Sequence, residues 1–254
     1  MKVLNIHDTN YRENLLSIKN PPAKLYVEGN EQLLQQKSVA IVGSRQCTDY
    51  GMKYARQFAE ALAANRVTIV SGMSLGIDSI THQAAIDFPS STIAVLGSGF
   101  NYIYPSESTE LFAKIIQKGG CVVSEYPPET EVDMKNFPVR NRIISALSIG
   151  ILVVEANYRS GSTITARYGF EQNKPVFCLP RNIGISHGIG TNKLIQQGAM
   201  LVTTPQDVLE ELHIQPASGS IENIVETVEK LPPKPLQDVY NSILYTPIHI
   251  SQIL

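Results

Sequence analysis

The stretch Phe137–Arg167, with the sequence FPVRNRIISALSIGILVVEANYRSGSTITAR, contains three predicted elements in succession. A basic helix precedes the continuous apolar run Ile151–Val154, which is typical of a strand buried on both faces of a parallel sheet. The polar turn at residues 159–163 then opens a second helix. A helix start presents unpaired N–H groups and the positive end of the helix dipole, and it therefore binds anions. This stretch indicates an α/β fold with a phosphate-binding turn.

Outward from this stretch, strands and helices alternate through residues 38–213. The alternation predicts a doubly wound, mostly parallel α/β sheet, whose ligands bind beyond the carboxyl ends of the strands where the strand order reverses. Four predicted strands end in turns rich in glycine and serine: Gly43–Ser44–Arg45, residues 71–76, Gly97–Ser98–Gly99 and residues 160–163. Because parallel strands end at one edge of their sheet, the four turns predict a common phosphate-binding edge.

None of these turns is a complete cofactor motif. Tyr102 stands where a dinucleotide fingerprint starting at Gly97 would have its third glycine, and the sequence has no Walker A lysine motif. The three cysteines, Cys47, Cys121 and Cys178, are widely spaced and odd in number, which favours neither a zinc site nor a disulfide framework. We therefore expect phosphate contacts without a cofactor or a metal.

The charges are unevenly distributed along the chain. The net charge is −2 over 254 residues, but residues 135–193 carry eight basic and two acidic side chains, so this block is +6 and the remainder is −8. A basic block in an acidic chain is the electrostatic footprint of a polyanion site. Scattering of the same charges over a solvated surface is the alternative.

The composition is that of a globular protein, with 43% apolar and 17% charged residues. The N-terminus lacks the apolar core of a signal peptide, and the longest apolar run is too short to span a bilayer. We expect a cytoplasmic protein without a membrane partner, in keeping with its few cysteines.

The domain organisation predicted from the sequence has four parts. A lead-in at residues 1–37, with a short strand at Leu25–Val27, precedes the α/β domain at 38–213. A linker at 214–235 follows, and residues 236–254 read as half of a helix–turn–helix unit that the chain does not complete. A tail that packs on the sheet is the alternative for this last segment.

Seven motifs carry a resemblance to a known family. They are VAIVGSR (39–45), SGMSLGID (71–78), LGSGFNYIYP (96–105), SEYPPET (124–130), FPVRNRIIS (137–145), VVEANYRSGSTITAR (153–167) and GTNKLIQQGA (190–199). In this order they resemble the DNA-processing protein A (DprA/Smf) family of bacteria.

The resemblance implies an extended Rossmann-like fold that binds single-stranded DNA, protects incoming DNA and loads the RecA recombinase during natural transformation. It also implies a homodimer, for which the apolar residues Leu194, Ile195 and Leu201 are the expected interface. Many members carry a C-terminal winged-helix domain, and residues 236–254 resemble its opening.

The turns, the basic block and the resemblance together define a predicted DNA site. Arg45, Arg140 and Arg142 are expected to lie together beside the Gly72 and Gly161 turns and to hold phosphates, with binding insensitive to base sequence. The full set is Gly43, Ser44, Arg45, Gly72, Ser74, Gly76, Gly97, Phe137, Arg140, Asn141, Arg142, Ser160, Gly161, Ser162, Thr163 and Arg167. Phe137, Tyr102, Tyr104 and Tyr158 are the candidates for base stacking.

An enzyme is the main competing interpretation, because the same superfamily contains nucleotide phosphoribohydrolases with a catalytic glutamate just after a Gly–Thr turn. Here Arg167 follows Thr163 by one helical turn and the first glutamate is Glu171, so we expect no catalytic residues and no enzyme. Asp78 is placed to cap a helix, Glu155 to hold the loop above its strand, and His82 and His187 are assigned structural roles. A sensor of free nucleotides is the third interpretation.

Overall fold

Strands and helices alternate throughout the described residues, which are 1–9, 11–89 and 91–215 of a computed structural model. The strands are β1 (Lys2–Asn5), β2 (Lys24–Gly29), β3 (Ser38–Val42), β4 (Thr68–Ser71), β5 (Thr92–Leu96), β6 (Cys121–Ser124), β7 (Gly150–Val153), β8 (Val176–Cys178) and β9 (Met200–Leu201). The α-helices are α1 (Glu13–Leu16), α2 (Asp49–Ala64), α3 (Ile77–Ala85), α4 (Thr109–Gln117), α5 (Asn136–Leu147), α6 (Gly161–Glu171), α7 (Ile189–Gln196) and α8 (Pro205–Glu211). Short 3₁₀ turns cover Glu31–Gln35, Ser106–Ser108 and Ser186–Gly188. The predicted segment 236–254 and nearly all of the linker lie outside the described residues.

All the strands join one sheet in the order β1-β2-β6-β5-β4-β3-β7-β8-β9. The pairs from β6 through β9 are parallel, and β1 and β2 extend the β6 edge in antiparallel fashion. The chain moves outward from β3 to β6 and then returns to place β7 on the other side of β3. The reversal point of this doubly wound sheet therefore lies between β3 and β7, and the predicted mostly parallel α/β fold is confirmed.

The two faces of the sheet carry separate apolar layers because successive strand residues point to opposite sides. In β3, Ala40 and Val42 pack toward the layer formed with α5, α6 and α7, whereas Val39 and Ile41 pack toward α2, α3 and α8. Side chains on both faces are buried, and this is why the central strands read as continuous apolar runs.

The lead-in belongs to the same sheet. The predicted strand at Leu25–Val27 is the centre of β2. Strand β1 was not predicted, because it has four residues of which three are exposed, and so short a segment shows no clear alternation of apolar and polar residues. Arg12 fastens this region by donating to the carbonyl oxygens of Leu34 at 2.5 Å and Gln36 at 3.0 Å. All described residues fall within one compact unit, and no helix among them is long and apolar enough to cross a membrane.

His82 is a fully buried imidazole in α3 with one hydrogen-bonded nitrogen. Its Nδ1 lies 2.7 Å from the hydroxyl of Thr92, and that hydroxyl donates its own proton to the carbonyl oxygen of Ile69 at 2.7 Å. Nδ1 must therefore donate, and Nε2 has no partner among the described residues. Burial, together with the positive charge of Arg140, lowers the pKa of His82 from 6.5 to about 3.

This depressed pKa predicts a loss of stability in mild acid. The unfolded chain takes up a proton near pH 6.5 while folded His82 does not, so stability is present above pH 6.5 and is lost as the pH falls towards 3. Between pH 7 and pH 5 the loss is about 2 kcal/mol. We expect denaturant unfolding to show that, between pH 7 and pH 5, the free energy of unfolding falls by about 2 kcal/mol less in His82→Gln than in the unmodified chain. Equal losses in the two proteins would contradict a neutral buried His82.

Candidate nucleic-acid interface

A cleft of about 570 Å³ opens at the reversal point of the sheet. Its walls come from the loop after β3, the loop after β4, helix α5 and the first turn of α6, so it lies beyond the carboxyl ends of β3 and β7. We refer to it as the first cleft. Ten of the residues predicted from the sequence line it: Gly43, Ser44, Arg45, Ser74, Phe137, Arg140, Asn141, Ser160, Gly161 and Ser162.

Arg140 forms a buried wall of the first cleft and is only 4% exposed. Its Nη1 donates to the carbonyl oxygen of Gly72 at 2.7 Å and to that of Val95 in β5, and its Nε donates to Asn141 Oδ1 at 3.2 Å. The guanidinium thus ties the ends of β4 and β5 to α5. Burial lowers the pKa of Arg140 to about 10 while nearby Asp78 opposes the shift, so the group keeps its positive charge at neutral pH.

Arg45 is the exposed cation of the first cleft. Among the described residues it forms neither a hydrogen bond nor an ion pair, and its contact is with the ring of Phe137, whose centroid is 5.9 Å from the guanidinium carbon. The guanidinium carbon of Arg140 is 5.8 Å from the same centroid, and the Tyr104 ring is 5.5 Å away. Phe137 is therefore an aromatic support for two cations.

The first turn of α6 forms another part of the wall of the first cleft. The hydroxyl oxygens of Ser160 and Ser162 are 2.6 Å apart and bonded to each other, so the Ser160 side chain does not cap the helix. Asn141 Nδ2 donates to the carbonyl oxygen of Gly161 at 3.1 Å and fixes this turn against α5. The first N–H groups of a helix have no partner within it, and here they adjoin the cleft that Arg45 and Arg140 make positive.

Asp78 lines the first cleft, although the sequence assigned it to a helix cap. The position before α3 is Gly76, and the Asp78 carboxylate instead accepts from the Ser74 hydroxyl and from the Ser74 N–H at 3.4 Å. Burial raises the pKa of Asp78. The carboxylate thus braces the loop after β4 rather than its own helix.

Three predicted glycines stand behind the first cleft instead of lining it. A Cβ on Gly72 would lie 2.7 Å from Arg140 Nη2 and 2.8 Å from Asp78 Oδ2, so glycine is what lets these two charged groups converge. Gly97 leaves room in the same way for the Phe137 ring, 2.8 Å from its added Cβ, and Gly76 has a φ of +76° that favours glycine.

Arg142 does not lie with Arg45 and Arg140, and the predicted grouping of three arginines is corrected to two. Arg142 Nη2 lies 2.5 Å from Glu125 Oε1, and its Nε donates to the carbonyl oxygen of Asn20 at 3.0 Å. The reason is helical geometry, because two residues along α5 correspond to a rotation of about 200°. The role of Arg142 as a DNA contact stays a prediction.

Glu155 is fully buried and holds the start of α2. Its carboxylate accepts from the Thr48 N–H at 2.9 Å and from the Thr48 hydroxyl at 2.5 Å, and Arg181 lies 3.4 Å away. The glutamate therefore positions the end of the loop that carries Arg45, rather than only the loop above its own strand.

The other predicted positions point to a different side of α6. Thr163 and Arg167 line a second cleft of about 250 Å³, together with Tyr158.

Tyr102 and Tyr104 are 40% exposed and line neither cleft. The predicted interface residue Leu194 is only 5% exposed and packs in the core, whereas Leu201 is exposed.

The family model described as DNA recombination-mediator protein A matches residues 2–213. The chain belongs to this family. Protein Smf of Escherichia coli (strain K12) is 46% identical over 202 residues, which cover 80% of this chain and 54% of that relative. DNA processing protein DprA of Bacillus subtilis (strain 168) is 41% identical over 199 residues, covering 78% of this chain and 67% of that protein. The chain thus spans about half the length of the Escherichia coli family member.

Solved structures of family members share the fold. The crystal structure of DNA processing protein A from Streptococcus pneumoniae has a TM-score of 0.78 at 40% identity, covering 83% of this chain and 74% of that one. A Helicobacter pylori DNA processing protein A, studied for its single-stranded DNA binding mode, has a TM-score of 0.75 at 31% identity, covering 84% of this chain and 96% of that one.

Several residues that line the first cleft of this chain were not among the site residues predicted from its sequence. Thr165 lies one helical turn after Gly161, and Asn157 follows β7, so periodicity and strand ends could have indicated both. Met134 and Gln46 enter from loops, and the sequence carries no local signal for loop residues of this kind.

Proposed function

We propose that this chain binds single-stranded DNA in the first cleft and so acts in DNA processing. The observation that carries the proposal is Arg45, an exposed guanidinium without an anionic partner among the described residues, set beside buried Arg140 and the open turn of α6. Family membership and the single-stranded DNA binding of the Helicobacter pylori relative support the same ligand.

The geometry favours a single strand over a duplex. The cations and the helix start suit phosphates, while the Tyr104 ring, which is 40% exposed and packs beside Phe137, offers apolar surface where an unpaired base can stack. An added Cβ on Gly161 would meet nothing within 4 Å, so packing does not demand glycine there and the open space lets a ligand approach the backbone. Contacts to the strand backbone position DNA without reading its sequence.

The test is a titration of the full chain with a labelled oligothymidylate, the matching duplex, a mixed-sequence single strand and a mononucleotide. We expect tight binding of both single strands, weaker binding of the duplex and much weaker binding of the mononucleotide. Affinity for the mononucleotide equal to that for the oligonucleotides would replace this proposal with a nucleotide sensor. A preference for the duplex would also contradict it.

The chain acts, in this proposal, by binding and not by hydrolysis. Asp78, the carboxylate that lines the cleft, accepts from Ser74, and the fully buried Glu155 accepts from Thr48, whereas general acid–base work requires a carboxylate within reach of the substrate. Release of free base from nucleoside monophosphates at an enzymatic rate, lost in Asp78→Asn, would overturn this part of the proposal.

Loading of RecA during natural transformation, protection of incoming DNA and a homodimer complete the proposed function. They rest on family membership, supported for the dimer by the exposed apolar residues Met200 and Leu201 at the sheet edge. RecA filament formation on a single strand, with and without this chain, tests the loading of RecA. Nuclease digestion of bound DNA tests the protection of incoming DNA. A monomer mass in light scattering at micromolar concentration would contradict the homodimer.

A further inference from the structure

The second cleft lies on the opposite side of α6 from the first and is a further concave basic surface. Thr163, Arg167 and Phe170 share one face of α6 at spacings of four and three residues, and Lys193 and Leu194 of α7 stand opposite them. The loop before α6 closes the rim. The volume of about 250 Å³ suits a small planar group rather than a large ligand.

Three exposed cations surround this cleft without a carboxylate partner. Arg159, Arg167 and Lys193 form no ion pair with any described residue; Lys193 Nζ contacts only Gln196 Oε1, at 3.3 Å. By contrast, Lys114 and Lys118, which lie away from either cleft, contact Glu110 at 2.7 Å and Asp87 at 2.9 Å. The second cleft is therefore a concentration of unneutralised positive charge in a chain whose net charge is −2.

An aromatic ring accompanies these cations. Tyr158 is 61% exposed, and its ring centroid is 5.9 Å from the guanidinium carbon of Arg159. Apolar side chains of Phe170 and Leu194 line the same cleft. Cations beside an exposed ring and an apolar floor combine the two features that hold a nucleotide of a single strand, namely phosphate charge and base stacking.

The two clefts are joined through one short segment of chain. Asn157 lines the first cleft and Tyr158 and Arg159 the second, while Ser160–Ser162 returns to the first and Thr163 to the second. A strand that leaves the first cleft across the open Gly161 turn therefore meets the second cleft directly.

We propose that the second cleft binds the continuation of the DNA strand held in the first cleft, taking a phosphate and an adjoining base. This inference rests on the proposed function and deepens it, since it makes the N-terminal turn of α6 a ridge over which one strand passes. An acidic protein surface would also complement the charges, but it would leave the exposed ring and the base-sized cleft without a role.

The experiment compares the full chain with a variant carrying Arg159→Gln and Lys193→Gln. A control variant with Lys114→Gln and Lys118→Gln removes the same charge elsewhere. Affinities for an oligothymidylate series, from the trinucleotide upward, are measured at several salt concentrations. For long strands the slope of log affinity against log salt should flatten by roughly 0.7 in the cleft variant, the change for the one phosphate that the second cleft takes. The trinucleotide should bind as it does to the unmodified chain, and the control should keep the full slope.

Three results would overturn this inference. Equal behaviour of the cleft variant and the control at every length would leave the surface to an acidic protein. An equal loss at every length, the trinucleotide included, would deny a separate second contact. A changed mass of the cleft variant in light scattering would assign the cations to assembly. If the unmodified chain bound no oligonucleotide at all, the proposed function itself would fail, which is distinct from these three.

Discussion

An Arg140→Ala variant is expected to lose about 3 to 5 kcal/mol of folding free energy, the range found when one partner of a buried charged set is removed. The substitution would leave the carbonyl oxygens of Gly72 and Val95 without their donor and would remove the cation beside buried Asp78. Unsatisfied buried acceptors and an uncompensated carboxylate are both costly.

Denaturant unfolding of Arg140→Ala and of Arg45→Ala, measured side by side, tests this expectation. Arg45 is exposed, and among the described residues its side chain contacts the Phe137 ring without a hydrogen bond or ion pair, so its removal should change stability by less than about 1 kcal/mol. If Arg140→Ala were as stable as Arg45→Ala, the hydrogen bonds to β4 and β5 would not be what holds α5 on the sheet. Because Arg140 supports the fold, a loss of DNA binding in its variant cannot by itself identify the site.

Arg45→Ala is expected to weaken single-strand binding while leaving the fold intact. Its guanidinium lines the first cleft and has no anionic partner among the described residues, and each phosphate contact removed should flatten the slope of log affinity against log salt by roughly 0.7. A labelled oligothymidylate titrated at several salt concentrations measures both the affinity and the slope.

The matched control is Arg56→Ala. Arg56 is an exposed arginine of α2 that lies 3.8 Å from Glu60 and outside both clefts, so its loss changes the net charge equally. The same affinity and slope for Arg45→Ala and Arg56→Ala would show that the first cleft is not the DNA site, and the basic block would then be a solvated surface.

These two variants separate roles that the sequence presented as one. Arg140 is a structural cation that also lines the cleft, and Arg45 has a long, exposed side chain that can contact a ligand. A fixed cation, Arg140, and a second cation on a long side chain, Arg45, suit a single strand of DNA, because its phosphates carry equal charges but vary in position.

The sequence by itself determined the elements and their order, because the signals for them are local. Thr48 accepts from the Gly51 N–H and starts α2, and the helix ends at Ala64, as its cap and apolar period predict. The apolar run at Ile151–Val154 covers β7 to within one residue at each end. Glycine-rich turns followed by helices indicated the sheet edge that carries the first cleft, since strand direction follows from strand–helix alternation.

Only the tertiary structure decided which charges share a site. Arg140 and Arg142 are two residues apart, yet the position of α5 on the sheet sends the first to Gly72 and the second to Glu125. Glu155 meets Thr48 across 107 positions of sequence. Such partners are set by how strands are ordered and helices packed, and a one-dimensional pattern carries no record of those distances. For the same reason the lead-in strand β1 and the division of α6 between two clefts emerged only when the chain was folded.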